Sequence, residues 1–225
     1  MRIENAVPPA HAVPPADPQP TADPGPTGTP PSPRPWAAVV LAGGGARRFG
    51  GRDKIAMTVG GRTLLDGVVA AARVAGAHPV VVVGPRRPTA TAVAWTREDP
   101  PGGGPLAGLA SGLAAVPPGV TEVAVLAGDL AAVGPGTLTR LRAAVAAHPD
   151  VDGAVLVDEQ GRVQWLVGVW RTAALRCALP ERPDGISVRS ALGGLTRIDI
   201  PALPGETLDV DTPDDLRAAR GANAG

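Results

Sequence analysis

Short apolar runs alternate with amphipathic segments along most of the chain. The runs at 36–42, 78–83 and 121–127 consist mainly of consecutive apolar residues, which is typical of strands buried on both faces. Between these runs, leucine and valine recur at helical spacing at 62–76 and again after Pro105. Strands that alternate with helices predict a three-layer α/β/α fold with a mostly parallel, Rossmann-like sheet.

The C-terminal third continues this pattern with one change. Runs at 151–157 and 162–170 flank a turn at 158–161 and predict a hairpin, so the sheet is not expected to be parallel throughout. A further strand is predicted at 196–200. The last helix is predicted to begin at Thr212, because a proline and then two acidic residues follow it.

The first 35 residues differ from the rest in composition. They hold 12 of the 27 prolines, with alanine, threonine and aspartate between them. Such a segment has little apolar surface to bury and cannot offset the entropy lost on ordering. The sequence therefore predicts a disordered, proline-rich tail at 1–35, with a partner-recognition segment as the alternative, and a folded domain at 36–222.

Charge and composition exclude several classes of protein. Basic and acidic residues number 21 each, so the net charge is zero, and neither nucleic acid nor an anionic membrane is an expected partner. The single cysteine, Cys177, excludes an intramolecular disulfide. Because it lies between Leu175 and Leu179 in an amphipathic segment, we expect it in the core. The three histidines are far apart in sequence, which argues against a zinc site or a histidine-based triad.

The longest run without charge, at 100–121, has the length of a membrane span. Half of its 22 residues are glycine or proline, however, so a membrane helix is not expected there. The chain also does not open with a basic, apolar and small-residue signal segment. These features predict a cytoplasmic protein.

A glycine-rich, basic segment at 41–54 follows the first predicted strand. Glycines let the backbone approach a phosphate closely, and Arg47, Arg48, Arg52 and Lys54 can supply positive charge. The segment is not a Walker loop, since no Lys-Ser or Lys-Thr follows its last glycines. Arg48 also replaces the third glycine of the dinucleotide-binding motif. The segment predicts a phosphate site; the alternative is a surface loop with scattered cations.

Lys54 is the only lysine among the 21 basic residues, and the other 20 are arginines. Arginine does not replace lysine where a compact charge on a flexible stem is needed. A lone lysine beside a glycine-rich loop therefore indicates a chemical role, although chance could also leave one lysine in such a composition.

Acidic residues follow the later predicted strands. Asp129 comes after an apolar strand and can bind Mg²⁺, which prefers one or two carboxylates plus phosphate oxygens; the alternative is a turn cap. Asp209 and Asp211 could complete the metal site. Asp99 precedes a glycine-rich loop and could accept hydrogen bonds from guanine, or could simply be a turn residue.

These motifs resemble those of the molybdenum cofactor guanylyltransferases. Leu41-Ala-Gly-Gly, Arg48, Gly50-Gly51 and Asp53-Lys54 are similar to the family's first motif. The loop at 104–108, the strand that ends at Asp129 and the segment at 209–216 also have counterparts, so the resemblance covers about 36–220.

The resemblance implies a nucleotide-diphospho-sugar-transferase fold and a Mg²⁺-dependent transfer of GMP from GTP to molybdopterin, with release of pyrophosphate. It also implies partner proteins of cofactor insertion. By this resemblance the catalytic residues are Lys54, Arg48 and Asp129, and the metal ligands are Asp129, Asp211 and, less directly, Asp209. The resemblance implies that Leu41, Ala42, Gly43 and Lys54 contact GTP, that Asp99 recognises guanine and that Asp129 holds Mg²⁺. Gly44, Gly104, Pro105 and Leu106 are predicted to bind the nucleotide together with these residues.

Two segments depart from the family pattern and keep alternatives open. The family usually has threonine or methionine and then proline after the metal-binding aspartate, whereas this chain has leucine and two alanines at 130–132. A His-Pro pair is replaced by Gln-Trp-Leu at 164–166. The alternatives are a cytidylyltransferase or another nucleotidyltransferase of the same fold, and a non-catalytic nucleotide-binding module.

Overall fold

The computed structural model describes residues 35–43 and 53–222. The tail predicted at 1–35 lies outside the described residues except for Pro35, as do Gly44 and Arg48, so the predictions made for them stay predictions. Within the described ranges, no helix is long and apolar enough to cross a membrane.

Nine strands and six helices alternate along these ranges. The strands are β1 (Trp36–Leu41), β2 (Thr58–Val59), β3 (Arg62–Thr63), β4 (Val80–Val83), β5 (Ala94–Thr96), β6 (Glu122–Ala127), β7 (Gly153–Val157), β8 (Val163–Arg171) and β9 (Arg197–Pro201). The helices are α1 (Leu64–Val74), α2 (Pro105–Ala114), α3 (Pro135–Ala147), α4 (Thr172–Ala178), α5 (Val188–Leu192) and α6 (Pro213–Ala222), and a 3-10 helix spans Lys54–Ala56.

The main sheet has seven strands in the order β5-β4-β1-β6-β8-β7-β9. The first four are parallel to one another, and β7 is parallel to β9, whereas β8 is antiparallel to both of its neighbours. The predicted mostly parallel sheet and the predicted hairpin are therefore both confirmed. The hairpin is irregular: Val155 lies opposite Gly168, but Leu156 lies opposite Gln164.

Both faces of the sheet are covered by helices. In β1, Ala38 and Val40 belong to a core cluster shared with α1 and α3, while Ala37 and Val39 belong to a second cluster shared with α2. All four side chains are fully buried. The continuous apolar runs follow from this arrangement, because successive residues of a strand point to opposite faces and here both faces are dry.

Close packing at glycines sets the position of α2 and of the strand ends. A Cβ atom at Gly112 would lie 2.4 Å from Val39 Cγ1, so α2 can approach β1 only because that residue is glycine. Gly84 has a φ of +142°, and a Cβ there would lie 2.7 Å from the carbonyl oxygen of Ala42. The Gly128 N–H donates to the carbonyl of Leu41 at 2.9 Å. The carboxyl ends of β1, β4 and β6 therefore meet at one edge.

Two local expectations need correction. Cys177 is exposed rather than in the core, because it lies on the outer side of α4 while Leu175 is buried. The helix expected at 62–76 begins two residues later, since Arg62–Thr63 pairs with Thr58–Val59 as a second, two-stranded sheet. The hydroxyl of Thr63 then caps α1 by accepting from the Asp66 N–H at 3.0 Å.

Candidate active site

Three of the predicted site residues meet at the carboxyl edge of the sheet. The Lys54 ammonium donates to Asp211 Oδ1 at 2.7 Å and lies 2.5 Å from Asp129 Oδ2. Lys54 and Asp129 are 23% and 19% exposed, so their pairing is partly shielded from water. The ammonium of Lys54 and the carboxylate of Asp129, which are far apart in sequence, are thus in direct contact.

Each of the three side chains is held by local structure. Asp129 follows β6 directly after Gly128, whose close approach to β1 turns the chain at this edge. Lys54 is the first residue of the 3-10 helix, which is anchored by the buried side chain of Ile55. Asp211 follows Val210, which is fully buried beside α6.

A short antiparallel pairing brings Asp211 to this edge. The Val210 N–H donates to the carbonyl of Asp129 at 3.2 Å, and the Ala131 N–H donates to the carbonyl of Leu208 at 3.0 Å. The start of α6 then fixes the next residues, because the Asp215 carboxylate accepts from the N–H groups of Asp211 and Thr212 at 3.0 and 2.7 Å. As predicted, an acid of the first turn serves the helix end.

The carboxylates shift the proton affinities of the site. Burial lowers the pKa of Lys54, but the hydrogen bonds to Asp129 and Asp211 and their charges outweigh it, so the pKa lies above its ordinary value. The pKa of Asp209 is also raised, because neighbouring atoms displace part of its hydration and the charges of Asp211 and Asp129 oppose its ionisation. Asp209 therefore lies within electrostatic reach of the cluster without pairing with Lys54.

A cavity of about 390 Å³ opens beside this cluster. Its described lining residues are Leu41, Gly43, Val83, Glu98, Gly102, Gly104, Pro105, Gly108, Ala127, Asp129 and Leu166. The cavity lies beyond the carboxyl ends of parallel strands, where ligands bind in open α/β sheets. Another cavity of about 470 Å³, between α1 and residues 130–135, is larger, but Arg62 is the only charged residue in its described lining. The smaller cavity is lined by the acidic residues Glu98 and Asp129, so it is the better candidate for the active site.

The remaining predicted nucleotide contacts divide into two groups. Gly104 and Pro105, at the start of α2, line the cavity, as do Leu41 and Gly43. Ala42 and Leu106 are buried and are not among the described lining residues.

Asp99 is exposed and is likewise not part of the described lining, whereas its neighbour Glu98 is. Glu98 Oε1 accepts from the Gly102 N–H at 3.2 Å. Glu98 and Asp99 are adjacent acids, and only the conformation of the loop decides which of them lines the cavity.

A third cavity, of about 420 Å³, adjoins the cavity of 390 Å³ and shares Pro105, Ala127 and Leu166 with it. Its other described lining residues are Leu130, Val163, Gln164, Trp165, Val167, Ser187, Val188, Thr207 and Asp209. The segment at 164–166, where the chain departs from the family pattern, therefore lines a cavity beside the Lys54 cluster.

The donor atoms suit a hard divalent cation. Asp129 and Asp211 direct carboxylate oxygens at one shared cation, which is the Lys54 ammonium in this structure. Among the described residues, no group of three or more acidic, histidine or cysteine side chains is arranged to hold a metal. One or two carboxylates fit Mg²⁺, which takes its remaining ligands from phosphate and water.

Comparison with known proteins identifies the family of the chain. The family model of the MobA-like NTP transferase domain matches residues 38–198, which is well over half of the chain. The chain belongs to the MobA-like NTP transferase family. The match begins within β1 and includes Lys54, Asp129 and the hairpin, but it ends before Asp211.

Individual relatives support the assignment over part of the chain. A molybdenum cofactor guanylyltransferase of Xanthomonas euvesicatoria is 47% identical over 81 residues, which are 36% of this chain and 40% of that protein. The chain thus spans about 40% of the length of the curated relatives that it matches.

Solved structures share the fold at low identity. The molybdopterin-guanine dinucleotide biosynthesis protein A of Archaeoglobus fulgidus is 20% identical with a TM-score of 0.63, covering 83% of this chain and 97% of that one. A Mycobacterium tuberculosis protein in complex with manganese is 23% identical with a TM-score of 0.62, covering 83% of this chain and 98% of that one. The MobA-like fold is therefore confirmed.

Sequence reasoning missed Arg87, which lies in the loop four residues after the end of β4. Its guanidinium pairs with the Asp53 carboxylate and donates to the carbonyl oxygen of Ala42 at 3.1 Å. Arg86 and Arg87 are adjacent and chemically identical, so the sequence carries no signal that separates them.

The departure at 130–132 also has a structural account. Ala131 and its neighbours use backbone atoms to pair with the segment that carries Asp211, and backbone pairing does not require threonine, methionine or proline side chains. With leucine and two alanines at 130–132, Asp129 and Asp211 therefore still contact Lys54.

Proposed function

We propose that this MobA-like NTP transferase is a Mg²⁺-dependent nucleotidyltransferase that moves GMP from GTP to a phosphate on molybdopterin or the molybdenum cofactor. The observation that carries the proposal is the contact of the Lys54 ammonium with Asp129 and Asp211 beside a cavity at the carboxyl edge of the sheet. The guanylyltransferase name of the partly matching relatives supports the choice of GTP and acceptor.

The reaction exchanges one phosphoanhydride linkage for another. An oxygen of the acceptor's terminal phosphate attacks the α-phosphorus of GTP in line, and a new P–O bond forms. The bond from the α-phosphorus to the oxygen that bridges to the β-phosphorus breaks, and pyrophosphate leaves with the electron pair. Positioning and charge neutralisation supply most of the catalysis in such transfers.

Lys54 is positioned to neutralise phosphate charge. Its pKa lies above the ordinary value, so the side chain stays cationic at neutral pH. Arg48 is proposed to contribute a second positive charge. The backbone at Leu41 and Gly43 and the first turn of α2 line the cavity in which the triphosphate would lie, and backbone N–H groups at a helix N-terminus favour anions.

Asp129 and Asp211 are the residues proposed to hold Mg²⁺, with Asp209 close enough to add negative charge. When bound, the ion would polarise phosphate oxygens and stabilise the charge that develops on them. The manganese complex of a structural neighbour supports a divalent ion in this fold.

The two cavities suggest how the substrates divide. We assign the guanine and triphosphate to the cavity that Glu98, Gly104 and Asp129 line. The acceptor is assigned to the adjoining cavity lined by Gln164 and Trp165, since the two cavities share Pro105, Ala127 and Leu166. The lining of each also includes an acidic residue in or next to the Lys54 cluster, Asp129 in one and Asp209 in the other. Guanine recognition by Asp99 stays a prediction, and so do the cytoplasmic location and the partner proteins of cofactor insertion.

The test measures pyrophosphate release by the purified chain. GTP, CTP, ATP and UTP are each supplied with Mg²⁺ and molybdopterin, and nucleotide binding is measured in parallel by calorimetry. We expect release with GTP that requires both acceptor and Mg²⁺. Preference for CTP would make the chain a cytidylyltransferase, and GTP binding without release would make it a non-catalytic module.

A further inference from the structure

One arginine joins parts of the chain on either side of the glycine-rich segment. Arg87 Nη1 donates to the carbonyl oxygens of Ala42 and Pro85 at 3.1 and 2.8 Å. Its Nη2 donates to Asp53 Oδ1 at 3.1 Å, and its Nε donates to the other oxygen of the same carboxylate.

These partners flank residues 44–52. Gly43 is the last residue described before that segment and lines the nucleotide cavity, and Ala42 immediately precedes it. Asp53 is the first residue described after it and immediately precedes Lys54. Arg87 therefore connects the end of β1 to the residue that carries the ammonium into the site.

The geometry requires a guanidinium. Its N–H groups lie in one plane in a fixed fork, so it can grip a carboxylate with two hydrogen bonds and still reach carbonyls on the other side. A lysine ammonium has no such fork. The Arg87 side chain is only 16% exposed, whereas that of Asp53 is 42% exposed, so the pair is anchored from the Arg87 side.

The same hydrogen bonds argue against a direct role in substrate binding. A guanidinium has five N–H donors, and four of those on Arg87 are directed at protein oxygens. An arginine that grips a phosphate needs two of its donors for that contact. Arg87 has one N–H beyond these four contacts.

We propose that Arg87 is a positioning residue that sets the distance between the β1 end and Lys54, acting through Asp53. Its effect on catalysis rests on the proposed nucleotidyl transfer, but its effect on Lys54 does not. A small displacement of a group that must meet a phosphate can lower turnover by up to about a hundredfold.

The activity arm compares Arg87→Met with Arg86→Met. Arg86 is an exposed neighbour, and its side chain makes no hydrogen bond or ion pair with residues 35–43 or 53–222, so it is a matched control. We expect Arg87→Met to lower kcat by roughly ten- to a hundredfold with a smaller change in KM for GTP. Arg87→Lys should not restore kcat, and Arg86→Met should stay within about twofold of the unmodified protein.

A double variant tests the route through Asp53. Asp53→Asn removes the partner carboxylate, so Arg87→Met added to it should lower kcat no further. Full additivity of the two losses would overturn the coupling, because it would mean that the two residues act independently.

A structural readout separates this proposal from the proposed function. Lys54 is the only lysine, so labelling with ¹³C,¹⁵N-lysine yields one backbone amide signal and one side-chain set that need no assignment. We expect Arg87→Met and Asp53→Asn to move the side-chain signals of Lys54 in the same direction, while Arg86→Met leaves them in place. The backbone amide is compared only for the Arg87 and Arg86 variants, because a change at the preceding residue 53 shifts it directly. If Arg87→Met does not fold, the lysine side-chain signals of Asp53→Asn alone test the positioning role.

The outcomes of the two arms are distinct. Lysine signals that stay in place in both Arg87→Met and Asp53→Asn would overturn the positioning role whether or not the protein is active. Displaced signals in a protein that shows no transferase activity would support the positioning role and refute the proposed function.

Discussion

Two of the ionic clusters in the described part of the chain join segments more than 60 residues apart in sequence, and they differ in how open they are. In one, Arg140 and Thr137 of α3 meet Glu206 in the loop before α6. In the other, Lys54 meets Asp129 and Asp211 at the carboxyl edge of the sheet. Both bridge long separations in sequence, but of the two only the Lys54 cluster has a carboxylate, that of Asp129, in the described lining of a cavity.

The Glu206 cluster is closed. The Glu206 side chain is 7% exposed, and its carboxylate accepts from Arg140 Nη1 and Nη2 at 2.8 and 2.9 Å, from the Thr137 hydroxyl at 2.5 Å and from the Leu203 N–H at 2.7 Å. Burial alone would raise the pKa of Glu206, but these hydrogen bonds lower it below its ordinary value. One positive and one negative charge balance, and both carboxylate oxygens have partners.

The Lys54 cluster has a different charge ratio. Among the described residues, one ammonium serves two carboxylates, with a third carboxylate, Asp209, in electrostatic range. Asp129 lines the cavity, so a ligand in it can reach the carboxylate. A balanced, enclosed cluster stabilises the fold, whereas an acid-rich cluster open to a cavity can exchange a side-chain cation for a divalent ion and its phosphates.

The strongest test of this contrast removes the Lys54 cluster. We expect Lys54→Ala or Asp129→Ala to lower turnover by roughly a hundredfold or more, because each removes a group that stabilises transition-state charge. The protein should still fold, since neither side chain belongs to a hydrophobic core cluster and the site lies at the open carboxyl edge of the sheet. Pyrophosphate release and a melting curve measure the two effects, and near-normal turnover in either variant would refute the mechanism.

The opposite pattern is expected for the Glu206 cluster. Glu206→Ala leaves Arg140 without its carboxylate and should lower the free energy of unfolding by about 2 kcal/mol or more, as broken buried pairs do. Turnover per folded molecule should not change. Urea unfolding measures the loss, and Asp199→Ala is the control, because Asp199 pairs with Arg197 but is 49% exposed and should cost less than about 1 kcal/mol.

The smallest effect concerns the proton affinity of Lys54. Its single ¹³Cε signal should titrate above the ordinary lysine pKa, and Asp129→Asn should move the pKa downwards, because it removes a charge that holds the proton. Since the folded-state pKa exceeds the unfolded one, the stabilisation is present below the unfolded lysine pKa and is lost as pH rises through the folded value. A midpoint at or below the ordinary value would contradict the pairing.

Local sequence patterns identified residues of the Lys54 cluster but gave no sign of the Glu206 cluster. Lys54 could be singled out because composition left only one lysine, and Asp129 because an acid ended an apolar strand. Glu206 had no such signal: it lies in a loop, and only the approach of α3 makes it a buried acid. The same limit applies to Cys177, whose spacing indicated the core although it faces outward.

The sequence by itself determined the order of strands and helices, the burial of the central strands on both faces, the hairpin and the chemical character of the segment around Lys54. These follow from periodicity and composition, which act over a few residues. The tertiary structure decided that Asp211 rather than Asp209 pairs with Lys54, that Glu98 rather than Asp99 lines the cavity, and that Arg87 rather than Arg86 holds Asp53. The residues of each pair lie at most two positions apart and are chemically similar, so they differ only in the direction of the side chain, which is set by contacts with segments far away along the chain.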